Sequence, residues 1–172
     1  VCSSDLDYST ATAIDPTGKY FYVTDYFNNN VTKYDALTGT AISGAIVTVG
    51  TGPGGITLSS DGSKAFVTNE GSDTVSVIDT STNTVTATVT VGSLPYGITL
   101  NSDGSKAFVT NWTSNTVSVI DTTTNTVTAT VPVGSSPSGI TLSPDGSKAF
   151  VTNWSSNTVS VIDTTTNTVT AT

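Results

Sequence analysis

"GITLNSDGSKAFVTNWTSNTVSVIDTTTNTVTATVPVG" occupies residues 97–134, and residues 97–130 return at 139–172 with three changes: Asn101/Ser143, Ser102/Pro144 and Thr113/Ser155. The Asp-Gly pair inside it recurs at Asp61, Asp103 and Asp145, every 42 residues. A diverged first copy starts near Tyr8, with Val23-Thr24 standing 44 residues ahead of Val67-Thr68. Its two extra residues fall around "TGTAISGAIVTVG" (Thr38–Gly50). A period of this length admits propeller blades and also paired-helix arrays.

The unit decides between them. "GITL" is a short apolar strand closed by "NSDG", whose Asp-Gly is a tight-turn signal. "KAFVTN" is a second strand, "NWTSN" a polar loop, "TVSVID" a third strand, and "TTTN" turns into "TVTATVPV". In that last strand Val127, Ala129, Val131 and Val133 fall on one face and Thr126, Thr128 and Thr130 on the other. Nothing in the unit repeats every 3.6 residues, so helices are rejected. Four antiparallel strands recurring at this spacing make a propeller blade. In the second copy the strands are expected near 55–58, 64–69, 74–79 and 84–91, recurring at +42.

Composition agrees with an all-β chain. Thr makes up about a fifth of the 172 residues and Val is abundant, and both are β-branched. The formal charge is −8, from 5 basic and 13 acidic residues, and every basic residue is Lys. A chain this acidic repels nucleic acid and anionic membranes, so neither is an expected partner. No apolar run reaches the ~18 residues of a membrane-spanning helix, so no membrane insertion is expected within this segment.

Residues 1–7 match no repeat. Val1–Leu6 back-translates into a string resembling the end of a common sequencing-adapter oligonucleotide, so this stretch is expected to be a non-native tail. On that reading the natural protein has no cysteine here, and Cys2 carries no disulfide or thiol chemistry.

The segments "FYVTD" (Phe21–Asp25) and the three "AFVTN" runs ending at Asn69, Asn111 and Asn153 resemble YVTN-repeat β-propellers, as does "NTVSVIDTTTNTV". The resemblance covers residues 8–172. Tyr becomes Phe in the three later copies and Asp25 replaces Asn in the first. It implies a partial propeller with blades at about 8–54, 55–96, 97–138 and 139–172. The last blade is cut before the equivalent of Val131–Gly134, and the chain is therefore expected to be a piece of a longer propeller. Members of this family are commonly seven-bladed and occur in surface-layer and secreted or surface proteins. Lactonases and quinoprotein dehydrogenases are similar in architecture.

The candidate chemistry is sparse. The chain has no His, Met or Arg, which removes His bases, His or Met ligation and Arg clamps from this stretch. No catalytic residue, metal site or cofactor is therefore expected within it. Asp61, Asp103 and Asp145 each offer one carboxylate per loop, too few for calcium, and are read as turn formers. Asp79, Asp121 and Asp163 are read as acceptors for the N–H and hydroxyl groups of the Thr-rich turns that follow them. Lys64, Lys106 and Lys148 are read as solvated charges. Sequons at Asn30, Asn111 and Asn153 are glycosylation candidates, but strand-end hydrogen bonding accounts for these residues without a glycan.

The aromatic residues say more. Trp112 and Trp154 follow the second strand, where the earlier copy has Glu70. Each either packs over the neighbouring blade or offers a stacking platform to a sugar or a partner protein. In an antiparallel meander this loop emerges on the same side as the link between blades, so Tyr96 joins them. Glu70, Tyr96, Trp112 and Trp154 are thus the candidate binding face, on the side where the copies differ most. The expected function is a non-enzymatic extracellular or cell-surface scaffold or adhesion module, binding a cell-wall or surface glycan or another surface protein. The alternatives are a lactonase-like or quinoprotein-like enzyme with its active-site residues outside this stretch, and a carbohydrate-binding propeller. Fold alone does not choose among these.

Overall fold

The computed structural model describes residues 9–172, and the tail assigned to 1–7, Cys2 included, lies outside them. Among the described residues, sixteen strands form four antiparallel sheets. The first holds β1 (Ser9–Ile14), β2 (Tyr20–Asp25), β3 (Asn30–Asp35) and β4 (Ala41–Thr48). The second holds β5 (Pro53–Leu58), β6 (Lys64–Asn69), β7 (Thr74–Asp79) and β8 (Thr84–Thr90). The third comprises β9 (Pro95–Leu100), β10 (Lys106–Asn111), β11 (Thr116–Asp121) and β12 (Thr126–Pro132). The fourth comprises β13 (Pro137–Leu142), β14 (Lys148–Asn153), β15 (Thr158–Asp163) and β16 (Thr168–Ala171). Among the described residues no helix is long and apolar enough to cross a membrane, which says nothing of a β-barrel. The fold is a partial β-propeller of four blades.

Each sheet runs as a simple meander, and the first strands β1, β5, β9 and β13 lie side by side along the inner edge. Of these, β5, β9 and β13 begin two residues earlier than the apolar pattern predicts. Pro53 pairs with Asn69 and Ile56 with Val67, so Gly54-Gly55 forms a bulge, repeated after Pro95 and Pro137. Proline is tolerated as the first residue of a strand, and a bulge absorbs the odd residue. Glycine is required here by crowding: a Cβ on Gly55 would lie 2.5 Å from the Tyr96 carbonyl of the next blade.

Three cores fill the gaps between consecutive blades. Phe66, Val75 and Val77 of the second blade pack on Ala107, Val109 and Ile120 of the third. Phe108, Val117 and Val119 repeat that contact on Ala149, Val151 and Ile162. A large ring thus meets a small residue at every step, which lets neighbouring sheets interdigitate.

Polar contacts reinforce the same direction. Thr24, Thr68 and Thr110 each donate from Oγ1 to a carbonyl of the next inner strand, on Gly54, Tyr96 and Ser138, at 3.0, 2.9 and 2.8 Å. Lys33, Lys64 and Lys106 reach from Nζ to the Thr80, Thr122 and Thr164 carbonyls of the following blade at 3.2, 3.5 and 3.3 Å. The lysines expected to be merely solvated are therefore tethers between blades, except Lys148, which has no such bond among the described residues.

The turns behave as their residues dictate. Asp79 Oδ1 accepts from the N–H groups of Ser81 and Thr82, and Asp121 and Asp163 do the same one and two blades on. The Asp61 and Asp145 turns gain a hydroxyl donor, Ser59 and Ser143 respectively, at 2.5 and 2.6 Å. These bonds hold both carboxyls down at about 2.

Candidate functional site

The upper rim is built from the loops after β2, β6, β10 and β14 and from the links between blades. Each loop is stitched to the preceding link by backbone bonds: Glu70 N–H donates to Gly52, Trp112 to Leu94 and Trp154 to Ser136, at 2.9, 2.9 and 3.0 Å. The side of the ring assigned to Tyr96, Trp112 and Trp154 from the meander is the side on which they lie. Asn29, Asp73 and Asn115, all at positive φ, accept from the link N–H groups of Gly52, Leu94 and Ser136. The Asp73/Asn115 difference between copies on this side therefore lies in a structural pin. That pin holds Leu94 at φ 52, where a leucine is strained, at the edge of the candidate site.

Tyr96 and Trp112 approach to 6.1 Å between ring centroids, and Trp112 and Trp154 to 5.7 Å. The three rings make one row. Trp112 is half-buried, Tyr96 is 49% exposed and Trp154 71% exposed, with its outer face open to solvent. Each Trp therefore packs on a neighbouring aromatic ring, and Trp154 also remains available for stacking.

Glu70, the chain's single glutamate, stands at the inner end of this row. It lines three adjoining cavities. One, of about 320 Å³, is floored by the starts of the four inner strands, including Thr10, Gly54, Gly97 and Ser138. A second, of about 240 Å³, lies between Glu70, Leu94, Tyr96 and Trp112. The third, of about 370 Å³, is walled by Tyr26, Phe27, Tyr96 and Thr10. Glu70 Oε1 lies so close over Gly54 that a Cβ there would come within 2.7 Å of it. Burial pushes the Glu70 carboxyl above its ordinary range, and no hydrogen bond or ion pair from it exists among the described residues. The structure thus brings together all four residues of the predicted face.

Tyr26 and Phe27 belong to the site and were not foreseen. Tyr26 occupies, in the first copy, the position of Glu70, Trp112 and Trp154 in the later ones. The offset of 44 rather than 42 hid the equivalence, although "VTDY" beside "VTNE" and "VTNW" carried it. Tyr26 and Phe27 meet edge to face at 5.5 Å.

The sequons at Asn111 and Asn153 are closed in the folded chain. Asn111 is fully buried, and its Nδ2 donates to Thr116 Oγ1 and Ser118 Oγ at 3.0 and 2.9 Å. Asn153 makes the equivalent bonds to Thr158 and Ser160. A glycan needs that nitrogen and open space, so the glycosylation reading is corrected at both positions. Asn30 is half-buried at the start of β3, its Oδ1 accepting from Thr32. No group of three or more His, Cys, Asp or Glu suited to a metal occurs among the described residues.

Among solved structures, the chain is similar to "Kuenenia stuttgartiensis Hydrazine Synthase", with a TM-score of 0.91 and 26% identity over 98% of this chain and 49% of that one. A functionally unknown protein from Desulfotomaculum acetoxidans shares the fold at a TM-score of 0.76 and 22% identity, over 95% and 55% of the two chains. The chain therefore spans about half the length of each. A search of curated proteins finds no match. The family described as "Lactonase, 7-bladed beta-propeller" matches residues 11–172, and the chain belongs to that family.

Proposed function

We propose that the chain is a recognition module whose upper rim binds a saccharide by stacking it on the Tyr96–Trp112–Trp154 row. One observation carries the reading: three aromatic rings stand in contact, two of them largely exposed, and two of the three, Tyr96 and Trp112, border a cavity that also holds the unpaired Glu70 carboxylate. A mostly apolar wall with few polar groups is the usual make-up of a ligand site. Pyranose rings present an apolar C–H face to aromatic rings and hydroxyls to the carboxylate and backbone. The acidic charge and Thr/Ser-rich exterior support an extracellular or cell-surface setting, in which such a module serves adhesion to cell-wall or surface glycan.

Both tryptophans of the chain lie in this row, so intrinsic fluorescence reports directly on its occupation. The expected result is a saturable change in Trp emission on adding soluble cell-wall oligosaccharides. Replacing Tyr96, Trp112 and Trp154 together by Ala should weaken binding, followed by calorimetry, about 100-fold, at about 1 kcal/mol per ring. Unchanged affinity in a folded triple variant would refute the proposal.

Family membership favours a second reading, hydrolysis of a lactone with Glu70 as general base. Its raised pKa and free oxygens suit that role. A lactonase activity of the chain that disappears in Glu70→Gln would favour this reading over simple recognition.

A further inference from the structure

Glu70 has no partner among the described residues. Lys64, Lys106 and Lys148 start the second strands, and Lys19 precedes one, so all four stand at the end of the sheet opposite the rim. The fifth, Lys33, is bound to the Thr80 carbonyl at that same lower side. The upper rim instead carries Asp25, Glu70 and Asp73. Asp25 accepts from Asn28, and Asp73 from Ser93 and Leu94. Glu70 alone is unspent. It is half-buried among Tyr26, Phe27, Tyr96 and Trp112, whose ring faces attract cations. Burial without a partner penalises its charged form, and a bound cation would remove that penalty.

We propose that the ligand of this rim is a saccharide bearing free amino groups, with an ammonium seated on Glu70 while its ring stacks on the Trp112–Trp154 row. The inference rests on the saccharide reading above and names its class. Glu70 is then the specificity residue: a carboxylate partnered by an ammonium forms a charge-assisted hydrogen bond, while an N-acetyl group in the same place offers a neutral amide and added bulk. The net charge of −8 favours the approach of the same ligands.

The test compares the tetramer of glucosamine with its fully N-acetylated counterpart, at a pH where the amines are protonated, by Trp fluorescence and calorimetry on the full chain. The amine form is expected to bind about tenfold more tightly, equivalent to a difference of about 1.4 kcal/mol. The preference should shrink at about 1 M salt, where the Debye length is about 3 Å. It should vanish in Glu70→Gln with circular dichroism unchanged. Equal affinity for the two tetramers, or a preference that survives both salt and Glu70→Gln, would overturn the amino-sugar assignment while leaving ring stacking in place. Absence of any fluorescence or heat change with either tetramer would overturn the stacking reading itself, and this assignment with it.

Discussion

"KAFVTN" is written at residues 106–111 and again at 148–153, yet the two strands live differently. In β10 every residue after Lys106 is buried, whereas in β14 exposed and buried residues alternate strictly. Phe108 is 0% exposed and Phe150 37%; Val117 is 0% and Val159 45%. The surrounding repeats differ at three positions, none of them in these strands. The difference teaches that a blade does not bury its own faces: the half of its apolar residues on one face is covered by the preceding sheet, as the third blade covers Ala149, Val151 and Ile162. The other half depends on the next sheet in line, as nearest-neighbour stability in repeat proteins requires.

The largest expected effect follows from the ring. Phe108→Ala should cost about 3–5 kcal/mol, a core cavity, while Phe150→Ala should cost about 1 kcal/mol. Denaturant midpoints measured on the two variants side by side check this. Equal losses would break the comparison and mean that the fourth blade's face is covered in solution. Next comes the hydroxyl. Thr110 Oγ1 bridges to the Ser138 carbonyl, whereas Thr152 bonds only within its own blade, to Gly139 and Ser138. Thr110→Val should therefore be more destabilising than Thr152→Val by about 1 kcal/mol. Urea titration resolves the pair.

The smallest effect separates the two Asp-Gly turns. Ser143 Oγ donates to Asp145, while its counterpart Asn101 turns its oxygen to the Lys106 N–H. Asp145 is held at about 2, and Asp103 is lowered chiefly by Ser105. A carboxyl whose folded pKa is depressed contributes stability above its unfolded pKa, and that contribution fades as pH falls toward the folded value. The Asp145 turn should thus loosen on acidification from about 4 to about 2. Carbon-detected NMR titration should show Ser143→Ala raising the Asp145 pKa and leaving Asp103 where it is.

Much of this was legible. Strict alternation and Asp-Gly turns at a fixed period placed β6, β7, β10, β11, β14 and β15 to the residue, because propensity, pattern and turn chemistry agree there. The order of strands in the meander likewise puts Tyr96, Trp112 and Trp154 on one rim. The bulges at Gly54-Gly55 and its equivalents were not legible, since Pro and Gly read locally as a turn and the pairing partner lies in another strand. Nor was the bridging role of Lys64 and Lys106, because a lysine at a strand start looks solvated until the carbonyl 58 positions later comes beside it. The Asn-Trp-Thr sequon carried no sign of its own burial.

The first blade departs from the repeat where it would receive a predecessor. Its leading side carries Phe21 and Tyr34, stacked at 5.0 Å and 13°, where later blades present Ala65 and Ile78. The Phe150 ring of another copy would therefore meet two large rings in place of the alanine that accepts Phe66 and Phe108 in the interior. Head-to-tail contact between identical molecules is the geometry that grows open filaments unless it closes. The leading face of the first blade thus differs from the socket that Ala65, Ala107 and Ala149 offer between successive blades within the chain.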